Sequence, residues 1–193
     1  MKPMDVDGYK NELRRFMQES DGKERIVQSR EDHLAQLNQQ LQNIREMFLG
    51  SDDFMPVLII FNPYGFTAIV GLAMMPEELE EKKELTETLI LEAVDAGAIA
   101  VMFAAEAAAV IGDDYEKAMQ NYEPGSIIND PKSFDVIHVF YTCALGEFSA
   151  MAKIHRNPRL DTTLDDWDIH TEGVGGRFSD FWTKARQRHA DEN

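Results

Sequence analysis

Glu106 and His138 are the two ionisable residues whose positions best suit acid–base chemistry. Glu106 ends an apolar segment that is predicted to be a central strand, and His138 lies in a later predicted strand. Functional groups often stand just past a central strand in sheets of the α/β type. A carboxylate and an imidazole on one sheet surface could therefore act as a catalytic acid–base pair. The alternative is that Glu106 caps a helix or loop and that His138 is a half-buried strand residue.

Metal-binding motifs with closely spaced ligands are absent from the sequence. None of the five histidines has another histidine within five residues, so the His-Glu-x-x-His pattern is missing. The one cysteine, Cys143, cannot supply the Pro-Cys-x-x-Cys pair of zinc deaminases, and we interpret it as a small buried residue. We therefore expect no resident metal ion and no cofactor.

Four aspartates form a carboxylate cluster near the C-terminus, and a glycine-rich segment follows them. The cluster could bind Ca²⁺ or Mg²⁺, but it lacks the glycine and the glutamate of an EF-hand loop, so we interpret it as a solvated acidic connector. The glycine-rich segment could hold an anion or act as a flexible hinge. The cluster comprises Asp161, Asp165, Asp166 and Asp168, and the segment is Gly173-Val174-Gly175-Gly176-Arg177.

The negative charge of the chain is concentrated in its middle. The 193 residues carry a net charge of −16, and residues 51–130 hold 16 acidic side chains against 3 basic ones. Free nucleic acid and anionic membranes both require a basic surface, so we expect neither as a direct partner. The N-terminus has no apolar run of the kind found in secretory signals, so we expect a cytoplasmic protein.

Many acidic residues of the middle segment lie in one sequence region that begins at the predicted helix after Pro76 and extends to Glu116. The simplest interpretation is a solubilising helix face, and the functional one is a docking surface for a basic partner. Such a face could imitate a row of phosphates, or it could bind the chain's own basic tail, Arg177 to Arg188, within or between subunits. The partner-binding candidates are Glu77, Glu80, Glu81, Glu84 and Glu87.

Two N-terminal segments have helical periodicity, Tyr9–Ser20 and Lys23–Leu49. In the second, apolar residues are spaced alternately three and four apart, which is typical of a coiled-coil stripe. A stripe this narrow must lie against the sheet or pair with a second copy, and both alternatives stay open. The predicted dimerisation residues are Leu34, Leu37, Leu41, Ile44 and Phe48.

Two β-hairpins are predicted. Phe54–Phe61 and Phe66–Met74 flank Asn62-Pro63-Tyr64-Gly65, which has the residue pattern of a type I turn. Closing this turn pairs Ile59 with Ala68 and Val57 with Val70. The second hairpin joins Phe134–Ala144 to Glu147–Arg156, and pairing Cys143 with Phe148 places Ile137, Val139 and Tyr141 on the core face.

The remaining elements complete an α+β fold. A helix beginning near Pro76 and ending at Gly97 is followed by the strand Ile99–Ala104, and residues 105–132 are predicted to be irregular or short-helical. The helix Ser179–His189 ends the chain. We predict a mixed five-stranded sheet made of two β-hairpins and a β-α-β crossover, with a long N-terminal helix and a C-terminal helix.

The predicted organisation has three parts. Residues 1–50 form an N-terminal helical region, residues 51–160 the α+β core, and residues 161–193 the acidic connector and the basic C-terminal helix.

Two segments resemble a group of uncharacterised small bacterial and phage proteins. In that group an apolar strand ends in Glu-Ala, as at Glu106-Ala107, and a later strand ends near Ile-x-Arg, as at Ile154-His155-Arg156. The group often has an aromatic residue after Glu-Ala, where this chain has Ala108. The resemblance implies a similar fold and a phage or prophage origin, and it implies no activity.

Taken together, these observations favour a non-enzymatic, homodimeric interaction protein that docks a basic partner. The alternative is a hydrolase or metal-dependent enzyme whose ligands come from distant segments, including Glu106, His138 and Asp161–Asp168.

Overall fold

The computed structural model describes residues 6–50, 54–72, 78–109, 132–156, 161–172 and 181–191. Within these ranges it has four helices and seven strands. The helices are α1 (Val6–Gln18), α2 (Arg30–Leu49), α3 (Leu79–Asp95) and α4 (Phe181–Asp191). The strands are β1 (Val57–Phe61), β2 (Thr67–Gly71), β3 (Ala100–Ala109), β4 (Phe134–Cys143), β5 (Gly146–His155), β6 (Thr163–Leu164) and β7 (Asp168–His170). None of the helices in these ranges combines the length and the apolar character needed to cross a bilayer.

The α+β class is confirmed, but the sheet is neither mixed nor five-stranded. Its strands are ordered β2-β1-β3-β4-β5-β6, with β7 also pairing with β5, and each pairing between described strands is antiparallel. Strands β2 and β3 do run in the same direction, as a β-α-β crossover requires. They are not neighbours, because β1 lies between them and is antiparallel to both.

The central strands are covered on both faces. All five residues of β1 are buried, and its side chains alternate between two hydrophobic cores. One core packs α2 against the sheet, and the other packs α1, α3 and α4 against the opposite face. A strand buried on both sides must be apolar throughout, which explains the uninterrupted sequence Val57–Phe61.

The apolar stripe of α2 lies on the sheet of its own chain. Leu37, Leu41, Ile44 and Phe48 are 0–4% exposed, and Leu34 packs at the edge of the same core. Burying an apolar side chain of this size contributes about 1.5–3 kcal/mol. Dimerisation through the stripe stays a prediction, and it would require α2 to leave this sheet or to exchange between chains.

Helix α2 begins at Arg30, seven residues later than predicted, because a capping box fixes its start. The Ser29 hydroxyl accepts a hydrogen bond from Asp32 N–H at 3.1 Å, and Ser29 N–H donates to Asp32 Oδ2 at 2.8 Å. The preceding residues are not helical. They run beside the first hairpin turn, where Ile26 N–H donates to the carbonyl of Pro63.

The first hairpin forms, with a register one residue away from the predicted one. Ile59 pairs with Ile69 and Val57 with Gly71, so the loop has five residues instead of four. The buried side chain of Asn62 causes this: its Oδ1 accepts from Tyr64 N–H and Phe66 N–H, each at 2.9 Å. A shift of one residue exchanges the two faces of β2 relative to β1.

The second hairpin forms with a register two residues away from the predicted one. Cys143 pairs with Gly146 and Tyr141 with Phe148. Because side chains alternate with a period of two, a shift of two residues leaves every side chain on its predicted face. Ile137, Val139 and Tyr141 are accordingly in the core, and Cys143 is a small buried residue whose pKa is raised by burial.

Two segments in which no strand was predicted contain strands. β3 continues through Ala105–Ala109, and the acidic connector contributes β6 and β7, which pair with β5. Residues 110–131 lie outside the described part of the chain, as do Pro76, Glu77 and the glycine-rich segment 173–177.

We predict that Asn62→Ala destabilises the protein by about 3 kcal/mol. Besides its two acceptor contacts, the fully buried Asn62 donates through Nδ2 to the carbonyls of Phe16 and Glu19, so its loss removes four hydrogen bonds to the backbone. Of these four backbone groups, the Phe16 carbonyl keeps a second partner, Glu19 N–H. Urea unfolding measures the change. The control is Asn43→Ala, whose amide makes an exposed contact with Gln40 and whose loss should change stability by less than about 0.5 kcal/mol. A loss below about 1 kcal/mol in Asn62→Ala would contradict the structural role of this side chain.

Candidate functional site

The acidic face belongs to α3, which lies on the sheet through its other side. Leu89, Ile90 and Ala93 are fully buried, and Thr86 is 2% exposed and donates its hydroxyl hydrogen to the carbonyl of Lys82. This buried stripe fixes the rotation of the helix. The carboxylates of α3 therefore lie on its flanks and outer face.

The first half of α3 presents its carboxylates to solvent. Glu80, Glu81 and Glu84 are exposed, and Glu87 is half-buried. Glu80, Glu84 and Glu87 are four and three residues apart, so they form one line along the helix. Lys83 Nζ lies 3.8 Å from Glu80 Oε2, a long contact between two exposed side chains. Of the predicted partner-binding residues, Glu77 lies outside the described part of the chain.

The second half of α3 is neutralised by cations from the same chain. Lys10 Nζ of α1 lies 3.1 Å from Glu92 Oε1. From α4, Arg188 Nη1 lies 3.2 Å from Asp95 Oδ2 and 3.8 Å from Glu92 Oε1. The contacts of Arg188 show that the acidic segment binds one residue of the chain's own basic tail, within the same chain.

Core packing places both cations. Tyr9, beside Lys10, donates its hydroxyl hydrogen to the carbonyl of Leu89 at 3.0 Å, and burial raises the pKa of its phenol. In α4, Phe181 is fully buried and makes an edge contact with Phe140 of β4. Arg188 lies two helical turns beyond Phe181, which brings it to the end of α3.

The structure does not bring Glu106 and His138 together as a pair. Glu106 is opposite Ile137 and lies on the sheet face covered by α2, whereas His138 is opposite Ala105 and points to the other face. His138 lies nearer His170, and burial followed by this second imidazole lowers its pKa. Residues on opposite faces of a sheet cannot exchange a proton directly, so the predicted acid–base pair is not formed.

Glu106 instead belongs to an ion cluster that the sequence did not indicate. Arg156 Nη2 lies 2.5 Å from Glu106 Oε2, and Arg156 Nη1 lies 2.7 Å from Asp135 Oδ2. The hydrogen bond with Glu106, more than any other contact, raises the pKa of Arg156. An arginine held between two carboxylates is neutralised, so this cluster ties the ends of β3, β4 and β5 together.

The four aspartates of the predicted acidic connector are spread over the segment that contains β6 and β7, with Asp161 before β6, Asp165 and Asp166 between the strands, and Asp168 in β7. Asp165 Oδ1 lies 2.8 Å from His155 Nε2, and Asp168 Oδ2 lies 3.3 Å from His170 Nε2. Within the described ranges, no three His, Cys, Asp or Glu side chains are grouped closely enough to hold a metal ion.

A buried polar network also escaped sequence reasoning. Tyr141 donates its hydroxyl hydrogen to Gln36 Oε1 at 2.7 Å, so it must accept the hydrogen bond from His33 Nδ1 at 2.8 Å. Burial lowers the pKa of His33, which favours the neutral imidazole. The network fixes the first turns of α2 on β4. The sequence did contain a sign that His33 is buried: it stands four residues before Leu37 and therefore lies on the same face of α2.

We predict that stability falls in mild acid because of His33 and His138. Burial lowers the pKa of each below its ordinary value of 6.5, so below about that pH the unfolded chain binds more protons than the folded one. The free energy of unfolding should be fully retained above about pH 7 and should fall as the pH decreases through 6.5.

Urea unfolding between about pH 7.5 and pH 5.5 measures this dependence. His33→Gln should flatten the curve, with His155→Gln, an exposed histidine, as the matched control. The assignment of the pH dependence to His33 would be contradicted if the free energy of unfolding of the wild type did not change with pH. It would also be contradicted if both variants had the same pH dependence.

Comparison with known proteins found no family model, no curated protein and no solved structure that matches this chain. The candidate site is therefore defined by its own geometry as the exposed carboxylates in the first half of α3.

Proposed function

We propose that this protein is a non-enzymatic interaction protein of phage or prophage origin, which acts in the cytoplasm and docks a basic partner. Its binding surface is the first half of α3, with Glu80, Glu81, Glu84 and Glu87 as the contact residues. Glu77, which lies outside the described part of the chain, is a fifth contact residue proposed from the sequence alone. No catalytic chemistry is required of these side chains, because they supply charge and position alone.

The observation that carries this proposal is the contrast between the two halves of α3. Glu92 and Asp95 lie within 4 Å of Lys10 or Arg188, whereas Glu81 and Glu84 are exposed to solvent. The two described cations that reach α3 from other helices, Lys10 and Arg188, both contact its second half, whereas the first half has only its own Lys82 and Lys83. The neutralised half anchors α1 and α4, which leaves the other half to face a partner.

The spacing of the carboxylates suits a basic helix or an extended basic strand. Glu80 and Glu87 are seven residues apart, which is about 10 Å along a helix axis. Each exposed ion pair contributes only about 0.2–1 kcal/mol, so several must form at once to give measurable binding. Such binding is fast and strongly weakened by salt.

The enzymatic alternative has less support. It required Glu106, His138 and the Asp161–Asp168 cluster to converge, and these groups lie on different faces and edges of the sheet. Glu106 is already held by Arg156 at 2.5 Å.

The test is binding of a fluorescent lysine-rich peptide, measured by anisotropy at about 0.05 M and about 0.5 M salt. We expect binding at low salt that is lost at high salt. The triple substitution Glu80→Lys, Glu84→Lys and Glu87→Lys should abolish it at low salt, because it reverses the charge of the whole line.

A matched control separates the site from net charge. Asp161→Lys, Asp166→Lys and Glu172→Lys are exposed positions near β6 and β7, and they change the net charge by the same amount. The control protein should bind as the wild type does, apart from a small nonspecific loss. Equal loss in both triple variants, or no loss in the α3 variant, would contradict the proposed surface.

A further inference from the structure

The outer edge of β2 presents backbone groups that are free to pair. Hydrogen bonds from Leu72 N–H to the Pro56 carbonyl and from Asn62 N–H to the Phe66 carbonyl bracket the β1–β2 ladder. Hydrogen-bonded pairs alternate along an antiparallel ladder, so the peptide groups of Ala68 and Val70 point to β1. Those of Thr67, Ile69 and Gly71 point away from it. Within the described ranges, β2 pairs with β1 alone.

This edge lacks two of the features that normally prevent strands from associating, charged side chains and proline. β2 contains neither a charged residue nor a proline, and Ile69 is 57% exposed. Met55 is 42% exposed and lies over Gly71, where an added Cβ would be 3.4 Å from Met55 Cε. Among the residues that the structure describes, the edge therefore combines peptide groups that have no strand partner with an exposed apolar surface.

We infer that the edge of β2 pairs with the same edge of a second copy, across a two-fold axis at Ile69. In this antiparallel register Ile69 is opposite its own copy, and Thr67 is opposite Gly71. Each of the three outward-facing residues forms a pair with two hydrogen bonds, about six in all. The two sheets then become one continuous sheet, and this inference does not rest on the proposed function.

The side chains are self-complementary in that register. On one face Ala68 is opposite Val70, so a small residue always meets a larger one. On the other face Thr67 meets Gly71, and Met55 fills the space above the glycine. The two exposed Ile69 side chains cover each other.

Charge also favours a second copy at this place. The chain carries a net charge of −16, so most pairs of surfaces would repel each other. Residues 54–72 contain no Asp, Glu, Lys, Arg or His, and β2 belongs to this segment. β2 itself therefore adds no like-charge repulsion between two acidic molecules, and the charged residues beside it are Glu12, Arg15 and Glu19, which line the groove next to α1.

The neighbouring helix leaves room for the partner. A groove of about 220 Å³ separates α1 from β2, and Phe16, Ala68 and Val70 are among the residues that line it. The second copy's Ala68 and Val70 can therefore approach this face without displacing α1. The α2 stripe, in contrast, is packed against its own sheet, where Leu37, Leu41, Ile44 and Phe48 are 0–4% exposed.

The first test is sedimentation velocity over a range of protein concentrations, with Ile69→Pro as the variant. Proline removes the outward N–H of Ile69 and leaves the ladder with β1 intact. We expect a dimer for the wild type and for the control Ile69→Val, and at least an approximately tenfold weaker dimer for Ile69→Pro. A monomeric wild type overturns the inference. So does a dimer that persists in a folded Ile69→Pro variant, a result that would point to exchange of α2.

The second test fixes the register and does not depend on the proline variant folding. Paired residues at Ile69 have Cα atoms about 5.5 Å apart, within the range of a disulfide. Mild oxidation should therefore cross-link Ile69→Cys into a covalent dimer. Thr67→Cys should not cross-link, because its opposite residue is Gly71, and the native Cys143 is buried. Equal cross-linking at both positions, or at neither, overturns the inference.

Discussion

Burial of the central strands on both faces is the constraint on which the rest of the structure depends. β1 has no solvent-facing side, and the side chains of β3 and β4 also alternate between two cores. An unpaired charge at such a position would lose its hydration without compensation, which explains the uninterrupted apolar sequence of β1. Each face of the sheet must be covered by helices, so α2 packs on one face and α1, α3 and α4 pack on the other.

The few polar groups admitted to the interior define how these layers fit together. Asn62 joins the first hairpin to the end of α1, and the His33–Tyr141–Gln36 network joins α2 to β4. Buried polar groups are costly unless they are fully hydrogen-bonded, so each of them selects one arrangement of its elements. The described ion pairs lie outside the two cores, along α3, at the ends of β3–β5 and beside β7, and β2 contains no charged residue.

Sequence reasoning found most elements because their periodicity is local. It recognised both hairpins, the stripe of α2 and the core face of the second hairpin. Register was less accessible, because it depends on a single side chain: Asn62 adds one residue to the first loop and exchanges the faces of β2. The start of α2 was missed even though Ser29 and Asp32 have capping-box spacing.

The candidate site was predictable only where charge alone defines it. The carboxylates of α3 are contiguous in sequence, so their shared helix was evident. Glu106 and His138 lie on the paired strands β3 and β4, and the register of that pairing decides whether their side chains share a face of the sheet. A shift of one residue would exchange the faces, and the sequence alone does not fix the register. β6 and β7 were missed because they are short and polar and gain their stability from pairing with β5.

Hydrogen exchange of individual backbone amides tests the double-sided burial of the sheet most directly. Amides of β1, β3 and β4 that lie under both cores, such as those of Leu58, Val101 and Phe140, should exchange only through global unfolding. Those of β6 and β7 should exchange much faster through local opening. If Leu58, Val101 and Phe140 exchanged as fast as β6 and β7, the central strands would not be the doubly buried core described here.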